Sequence, residues 1–86
     1  MIVRIPTPLR SYTANRSSVE AQGSTLVQLL DDLDVQFPGI AFRIVDEQGR
    51  LRQHMVIWIR GERCRDLSTP LEGLDEVVIM QALSGG

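Results

Sequence analysis

The sequence has no lysine, one cysteine, one histidine and no long apolar run. These shortages exclude acylation of its own lysines, an intramolecular disulfide, a structural zinc site and a membrane-spanning segment. All nine basic residues are arginine, as a GC-rich genome favours, so the chain has no ε-amine of its own to acylate. Cys64 cannot form an intramolecular disulfide, and with His54 it supplies too few ligands for structural zinc. The longest purely apolar run, Met55 to Ile59, is far too short to cross a bilayer. Pro6 and Pro8 interrupt the only early apolar stretch, so we expect no secretory signal and a cytoplasmic protein.

The composition is that of one soluble globular domain. The chain has 86 residues, of which 43% are hydrophobic and 23% charged. Its net charge of −2 argues against nucleic-acid binding, which normally requires a basic surface. No Gly-rich phosphate loop ending in Lys-Ser or Lys-Thr is present, and no residues form a convincing catalytic set. The residues therefore give no support to a conventional enzyme.

One amphipathic helix is the clearest local prediction. Thr25 is a good N-cap, and Gln28 stands at the capping-box spacing. Large apolar residues then recur at one-face helical spacing, and Pro38-Gly39 ends the pattern: Leu26, Leu29, Leu30, Leu33 and Phe37. Asp31, Asp32 and Asp34 fall mostly off this stripe, so we interpret them as a solvated face and not as a metal site.

The remaining pattern predicts strands in the order β-β-α-β-(β)-β. The predicted strands are Ile2–Ile5, Ser17–Ala21, Met55–Arg60, a brief return at Arg63–Arg65 after a Gly61-Glu62 turn, and Glu76–Leu83. We expect a polar loop over Ser11–Arg16 and a loop with a short helical turn over Ile40–His54. The last strand is apolar on both faces, which is typical of a central strand. Cys64 is predicted to be a core residue on the inner face of its short strand.

A single helix covers only one face of a small sheet, so the other face is expected to carry an apolar patch. Strand alternation directs Val77 and Ile79 to the helix, and Val78 and Met80 outward beside Val56 and Trp58. An outward apolar patch indicates a docking surface. The alternative is that the Ile40–His54 loop folds over the patch.

The chain resembles a known family in these features and in its two ends. The strand order, the Thr25 helix and a last strand that ends in Leu83-Ser84-Gly85-Gly86 resemble the ubiquitin-like β-grasp fold and, more narrowly, the MoaD/ThiS family of sulfur carriers. The opening Val3-Arg4-Ile5-Pro6-Thr7-Pro8-Leu9-Arg10 is similar to that of the carriers that feed a thiocarboxylate route to cysteine in actinobacteria. The resemblance implies an α+β fold, a mixed four- to five-stranded sheet on one main helix. Residues 1–82 would form the β-grasp domain, and residues 83–86 a flexible Gly-Gly tail.

The resemblance also implies a mechanism in which partners perform the chemistry. An E1-like adenylyltransferase of the MoeB/ThiF type would adenylate the carboxylate of Gly86 with ATP, and a sulfur donor would then convert it to a thiocarboxylate. A sulfur-accepting synthase, for which a pyridoxal-phosphate cysteine synthase is a candidate, would take the sulfur. Gly85 would keep the tail slim, and Leu83 and Ser84 would set its reach. No cofactor or metal would be bound, and the docking residues would be Val56, Trp58, Arg60, Val78 and Met80.

Other functions remain open at this point. Within the family, the chain could be the small subunit of molybdopterin synthase or the thiazole-forming carrier of thiamin synthesis. It could instead be a ubiquitin-like modifier conjugated through the same tail, or an adaptor whose tail is inert. Residues Ile5-Pro6-Thr7 favour cysteine or another thiocarboxylate-dependent metabolite.

Overall fold

A computed structural model describes residues 1–82, which fold as one mixed sheet with helices on one side. The strands are β1 (Ile2–Arg4), β2 (Ser18–Glu20), β3 (Met55–Ile59), β4 (Glu62–Arg63) and β5 (Glu76–Gln81). The helices are α1 (Leu26–Gln36), α2 (Ile40–Ile44) and a 3₁₀ helix at Thr7–Tyr12. The sheet order is β2-β1-β5-β3-β4, with β5 parallel to β1 and antiparallel to β3. The predicted mixed sheet of four to five strands on one main helix is confirmed, and the sheet has five strands. In the part of the chain described, no helix is long and apolar enough to cross a membrane.

The last strand occupies the centre of the sheet, as its two apolar faces predict. Val77 and Ile79 are almost fully buried under the helices, whereas Met80 is 48% exposed on the other face. The same alternation holds in β3, where Met55 and Ile57 are buried and Val56 is half-buried. The predicted strand continued to Leu83, which lies outside the described residues.

Helix α1 begins where its sequence predicts. The Thr25 hydroxyl oxygen accepts the Gln28 N–H at 3.4 Å, and the Gln28 side-chain oxygen accepts the Ser24 N–H at 2.9 Å. The four leucines of the predicted stripe are buried, and Phe37, the residue after the helix, is half-buried. Hydrophobic burial therefore decides the position of this helix on the sheet.

The loop that could have covered the open face lies on the opposite side. Residues Ile40 and Ile44 of α2 are fully buried, and α2 packs against α1 and the 3₁₀ helix. The alternative in which Ile40–His54 folds over the apolar patch is therefore wrong. Beyond α2, the Arg50 and Gln48 N–H groups donate to the Asp46 carboxylate, and these bonds lower the pKa of Asp46.

Two local predictions about turns need correction. Residues Thr7–Tyr12 form a 3₁₀ helix that buries Leu9, so the polar loop predicted from Ser11 begins later. Strand β3 ends at Ile59, because Arg60 and Gly61 both adopt positive φ, 54° and 79°, and form a two-residue hairpin turn. The return strand is accordingly Glu62–Arg63. Cys64 follows it, half-buried against the core, and its N–H donates to the Ile57 carbonyl at 2.8 Å.

The acidic residues of α1 do more than face solvent. Asp34 accepts hydrogen bonds from the Gly39 and Ala41 N–H groups at 3.0 and 3.1 Å. Asp32 accepts the Gln22 N–H at 2.9 Å and the Gln36 side-chain amide at 3.1 Å. Only Asp31 fits the predicted solvated face. Asp32 and Asp34 connect the helix to neighbouring segments by hydrogen bonds. The sequence pattern does not predict these bonds, because it does not show where the N–H donors lie.

Candidate docking face and tail exit

The open face of β3 and β5 carries the apolar patch that strand alternation predicts. Val56 lies directly opposite Met80, and Trp58 directly opposite Val78, in the antiparallel register. Such cross-strand neighbours have Cβ atoms about 5 Å apart, so the four side chains form one continuous surface. We call Val56, Trp58, Val78 and Met80 the apolar patch.

One end of this patch is a shallow cavity of about 500 Å³. The cavity joins three patch residues, Trp58, Val78 and Met80, to Arg60 and to residues that the sequence did not single out, Gly61, Leu74 and Glu76. Val56 is on the same face but does not line the cavity. Leu74 lies in an irregular segment with no periodicity, so no sequence signal could have identified it.

Polar side chains form the rim of the patch. The Arg60 guanidinium donates to the Glu72 carbonyl at 2.9 Å, which fixes a side chain carried on the hairpin turn and not on the strand. Arg63 stacks 5.6 Å from the centre of the Trp58 ring. Arg4 Nε lies 2.6 Å from a Glu76 carboxylate oxygen. An apolar centre with a polar rim is the arrangement of protein–protein interfaces.

The chain leaves the middle of the sheet beside this patch. Strand β5 ends at Gln81, and the Ala82 N–H donates to the His54 carbonyl at 2.7 Å. The proposed tail, Leu83, Ser84, Gly85 and Gly86, lies outside the described residues, so its predicted roles stay predictions. Two of the four patch residues, Val78 and Met80, therefore lie on the last strand before the proposed tail.

The residues weighed for catalysis do not form a site. The Cys64 sulfur lies 3.1 Å from the Thr69 hydroxyl oxygen and 3.4 Å from the Asp66 carbonyl oxygen, and His54 is exposed. The nearby Asp66 carboxylate accepts the Ser68 hydroxyl at 2.6 Å, and this bond lowers the pKa of Asp66. Among residues 1–82, no group of three His, Cys, Asp or Glu side chains could hold a metal ion.

Comparison with solved structures identifies the class of protein. The chain matches the crystal structure of CysO from Mycobacterium tuberculosis with a TM-score of 0.88 and 34% identity, over 95% of this chain and 98% of that one. The fold is therefore the ubiquitin-like β-grasp. A crystal structure of the Amycolatopsis orientalis BexX/CysO complex matches equally well, with a TM-score of 0.88 and 32% identity over 99% and 98% of the two chains.

The sequence comparison names the family. The model of the ThiS family matches residues 3–86, and the chain belongs to this family. The sulfur carrier protein CysO of M. tuberculosis is 36% identical over 98% of this chain and 96% of its own length. The small archaeal modifier protein 1 of Methanosarcina acetivorans is more distant, with a TM-score of 0.78 and 26% identity over 99% and 94% of the chains. The similarity is to small ubiquitin-like carriers and not to a family of catalysts.

Proposed function

We propose that the chain is a sulfur carrier whose Gly86 bears the sulfur as a thiocarboxylate. The observation that carries the proposal is the family match, which extends through the Gly85-Gly86 pair to residue 86. The 36% identity to CysO over nearly the whole chain and the Ile5-Pro6-Thr7 opening favour the branch that feeds cysteine biosynthesis.

The chemistry balances in two steps, both performed by partners. In the first, the Gly86 carboxylate attacks the α-phosphorus of ATP, which forms an acyl-adenylate and releases pyrophosphate. In the second, a sulfide equivalent attacks the acyl carbon, AMP leaves, and the product is the thiocarboxylate. A carboxylate is a poor electrophile until adenylation supplies a leaving group, so an ATP-binding partner is required.

The open face supplies the means of binding that partner. An E1-like adenylyltransferase of the MoeB/ThiF type would cover the apolar patch, with Arg60 at its rim, and receive the tail that follows β5. Burial of the patch would contribute association energy because it removes apolar surface from water. The crystal structure of the Amycolatopsis orientalis BexX/CysO complex shows that a relative of this chain binds another protein. The sulfur acceptor would be a pyridoxal-phosphate cysteine synthase in the cytoplasm.

The test is the intact mass of the chain purified anaerobically from its host. The proposal expects a species heavier than the free acid by the difference between one sulfur and one oxygen. Reaction with a thiol-alkylating probe should place that sulfur at Gly86, and a Cys64→Ser variant should still carry it. A mass that stays that of the free acid after incubation with ATP, sulfide and the host's E1-like enzyme would contradict the proposal.

A second function is favoured by one observation, the 26% identity to an archaeal protein named a modifier. In that case the same activated tail would form an isopeptide bond with a lysine of a target protein. The chain has no lysine and could not form lysine-linked chains of itself. A series of higher-mass adducts in host lysate, lost when Gly86 is deleted, would support this function.

A further inference from the structure

Two cavities meet where β5 ends, and each is lined by arginine side chains. A groove of about 570 Å³ includes Arg4 and Arg10, and a smaller cavity of about 290 Å³ includes Arg43. Gln81, the last residue of β5, lines both of them. The exit of the chain from the sheet is therefore flanked by positive charge on two sides.

No acidic side chain lines either cavity within residues 1–82. The sequence explains this, because the lining residues come from stretches that contain neither Asp nor Glu: residues 1–19, 40–45, 50–59 and 77–82. The 11 acidic residues lie in the other segments, although the chain as a whole has a net charge of −2. The positive exit is thus a local feature that runs against the overall charge.

Two of these arginines are held through Nε, and their terminal nitrogens form no hydrogen bond with residues 1–82. Arg10 Nε donates to the Ile5 carbonyl at 3.2 Å, and Arg43 Nε donates to the Tyr12 hydroxyl at 2.7 Å. The bond to Tyr12 also raises the pKa of Arg43. Neither guanidinium forms an ion pair with an acidic side chain of residues 1–82, whereas Arg4 is paired with Glu76. A guanidinium already held through Nε can bind a carboxylate through both Nη groups and loses less side-chain entropy than a free one.

We propose that Arg10 and Arg43 form a cationic collar that binds acidic side chains at the rim of the partner's tail channel. This inference rests on the proposed function, because it assumes a partner that receives the tail. Four residues follow Ala82, and they span at most about 14 Å. The collar stands at the start of that span, so in an extended tail it meets the channel mouth and not the reacting phosphate. Its role is to steer and orient association.

The experiment measures pyrophosphate release by the host's E1-like adenylyltransferase at limiting carrier. Arg10→Glu and Arg43→Glu are compared with Arg50→Glu, which makes the same charge change in a cavity that Gln81 does not line. At low ionic strength we expect kcat/KM to fall about fivefold or more for each collar variant and less than about twofold for Arg50→Glu. At about 0.5 M salt the difference should nearly vanish because of screening, and kcat at saturation should not change.

Each other outcome overturns the inference. If kcat/KM of the collar variants equals that of Arg50→Glu at low salt, the partner has no acidic rim at this position. A loss of kcat/KM that persists at high salt would indicate damaged packing and not a lost charge interaction. Thermal unfolding checks that each variant is folded, and if Arg10→Glu is not, the exposed Arg43 carries the test. A wild-type chain that releases no pyrophosphate would contradict the proposed function itself, and the collar with it.

Discussion

Gly23 is required by the close approach of α1 to the preceding turn. A Cβ at this position would lie 2.4 Å from the Leu29 nitrogen and 2.7 Å from the Gln28 carbonyl carbon, both backbone atoms that cannot move alone. We expect Gly23→Ala to lower the free energy of unfolding by about 3 kcal/mol, at the upper end for overpacking. Gly49→Ala is the control, because its Cβ meets nothing within 4 Å and its φ of +79° costs about 1 kcal/mol. Urea unfolding compares the two, and equal losses would contradict the steric argument.

Met80 is the most exposed member of the apolar patch, so a substitution there can test docking with little effect on folding. It is 48% exposed, so Met80→Glu should change the unfolding midpoint little, within the range of ordinary surface substitutions. Burying the new carboxylate against the partner should raise KM for the carrier about tenfold or more in the adenylation assay. Val35→Glu is the matched control, because Val35 is 79% exposed on α1, away from the patch. A variant at Met80 with wild-type KM would show that the partner binds elsewhere.

At the scale of elements, Asp34 connects the end of α1 to the start of α2. Its carboxylate accepts two N–H groups, those of Gly39 and Ala41, that a short helix start would otherwise leave to water. We expect Asp34→Ala to destabilise the fold by about 1 to 2 kcal/mol. Asp31→Ala, one turn away and exposed, should cost less than about 0.5 kcal/mol. Denaturant unfolding measures both losses. Equal losses would mean that the change in helix propensity, and not the loss of the two Asp34 hydrogen bonds, lowers the stability.

Elements with their own periodicity were predictable, and elements defined by tertiary contacts were not. The leucine stripe and the Thr25 cap give α1 at nearly its observed bounds, and alternation gives β1, β3 and β5. The 3₁₀ helix at Thr7–Tyr12 has one buried residue, Leu9, and thus no period to detect. The Gly61-Glu62 pair predicts the hairpin turn one residue late, because Arg60 adopts a positive φ that its side chain does not favour.

At the scale of the whole molecule, the candidate site has one part that strand alternation predicts and one part that only tertiary contacts assemble. Strand alternation in a central β5 predicts which side chains share the open face, and the register places Val56, Trp58, Val78 and Met80 together. Leu74 lies in an irregular segment, and the collar residues Arg10 and Arg43 lie on two short helices that only the folded chain brings to β5. Sequence reasoning therefore finds surfaces built on regular strands and misses those assembled from loops and short helices.

The proposed division between a folded body and a reactive tail yields the last prediction, the deletion of Gly86. All 18 buried apolar side chains in the described residues lie between Val3 and Ile79, so we expect thermal unfolding to be unchanged. Activation should be lost, because the shortened tail still ends in a carboxylate but places it about 3.5 Å back from the partner's ATP. Attack requires the reacting atoms to approach within about 3 to 3.5 Å, so a shift of that size removes the reactive geometry. Pyrophosphate release at the wild-type rate by the folded deletion variant would refute the assignment of Gly86.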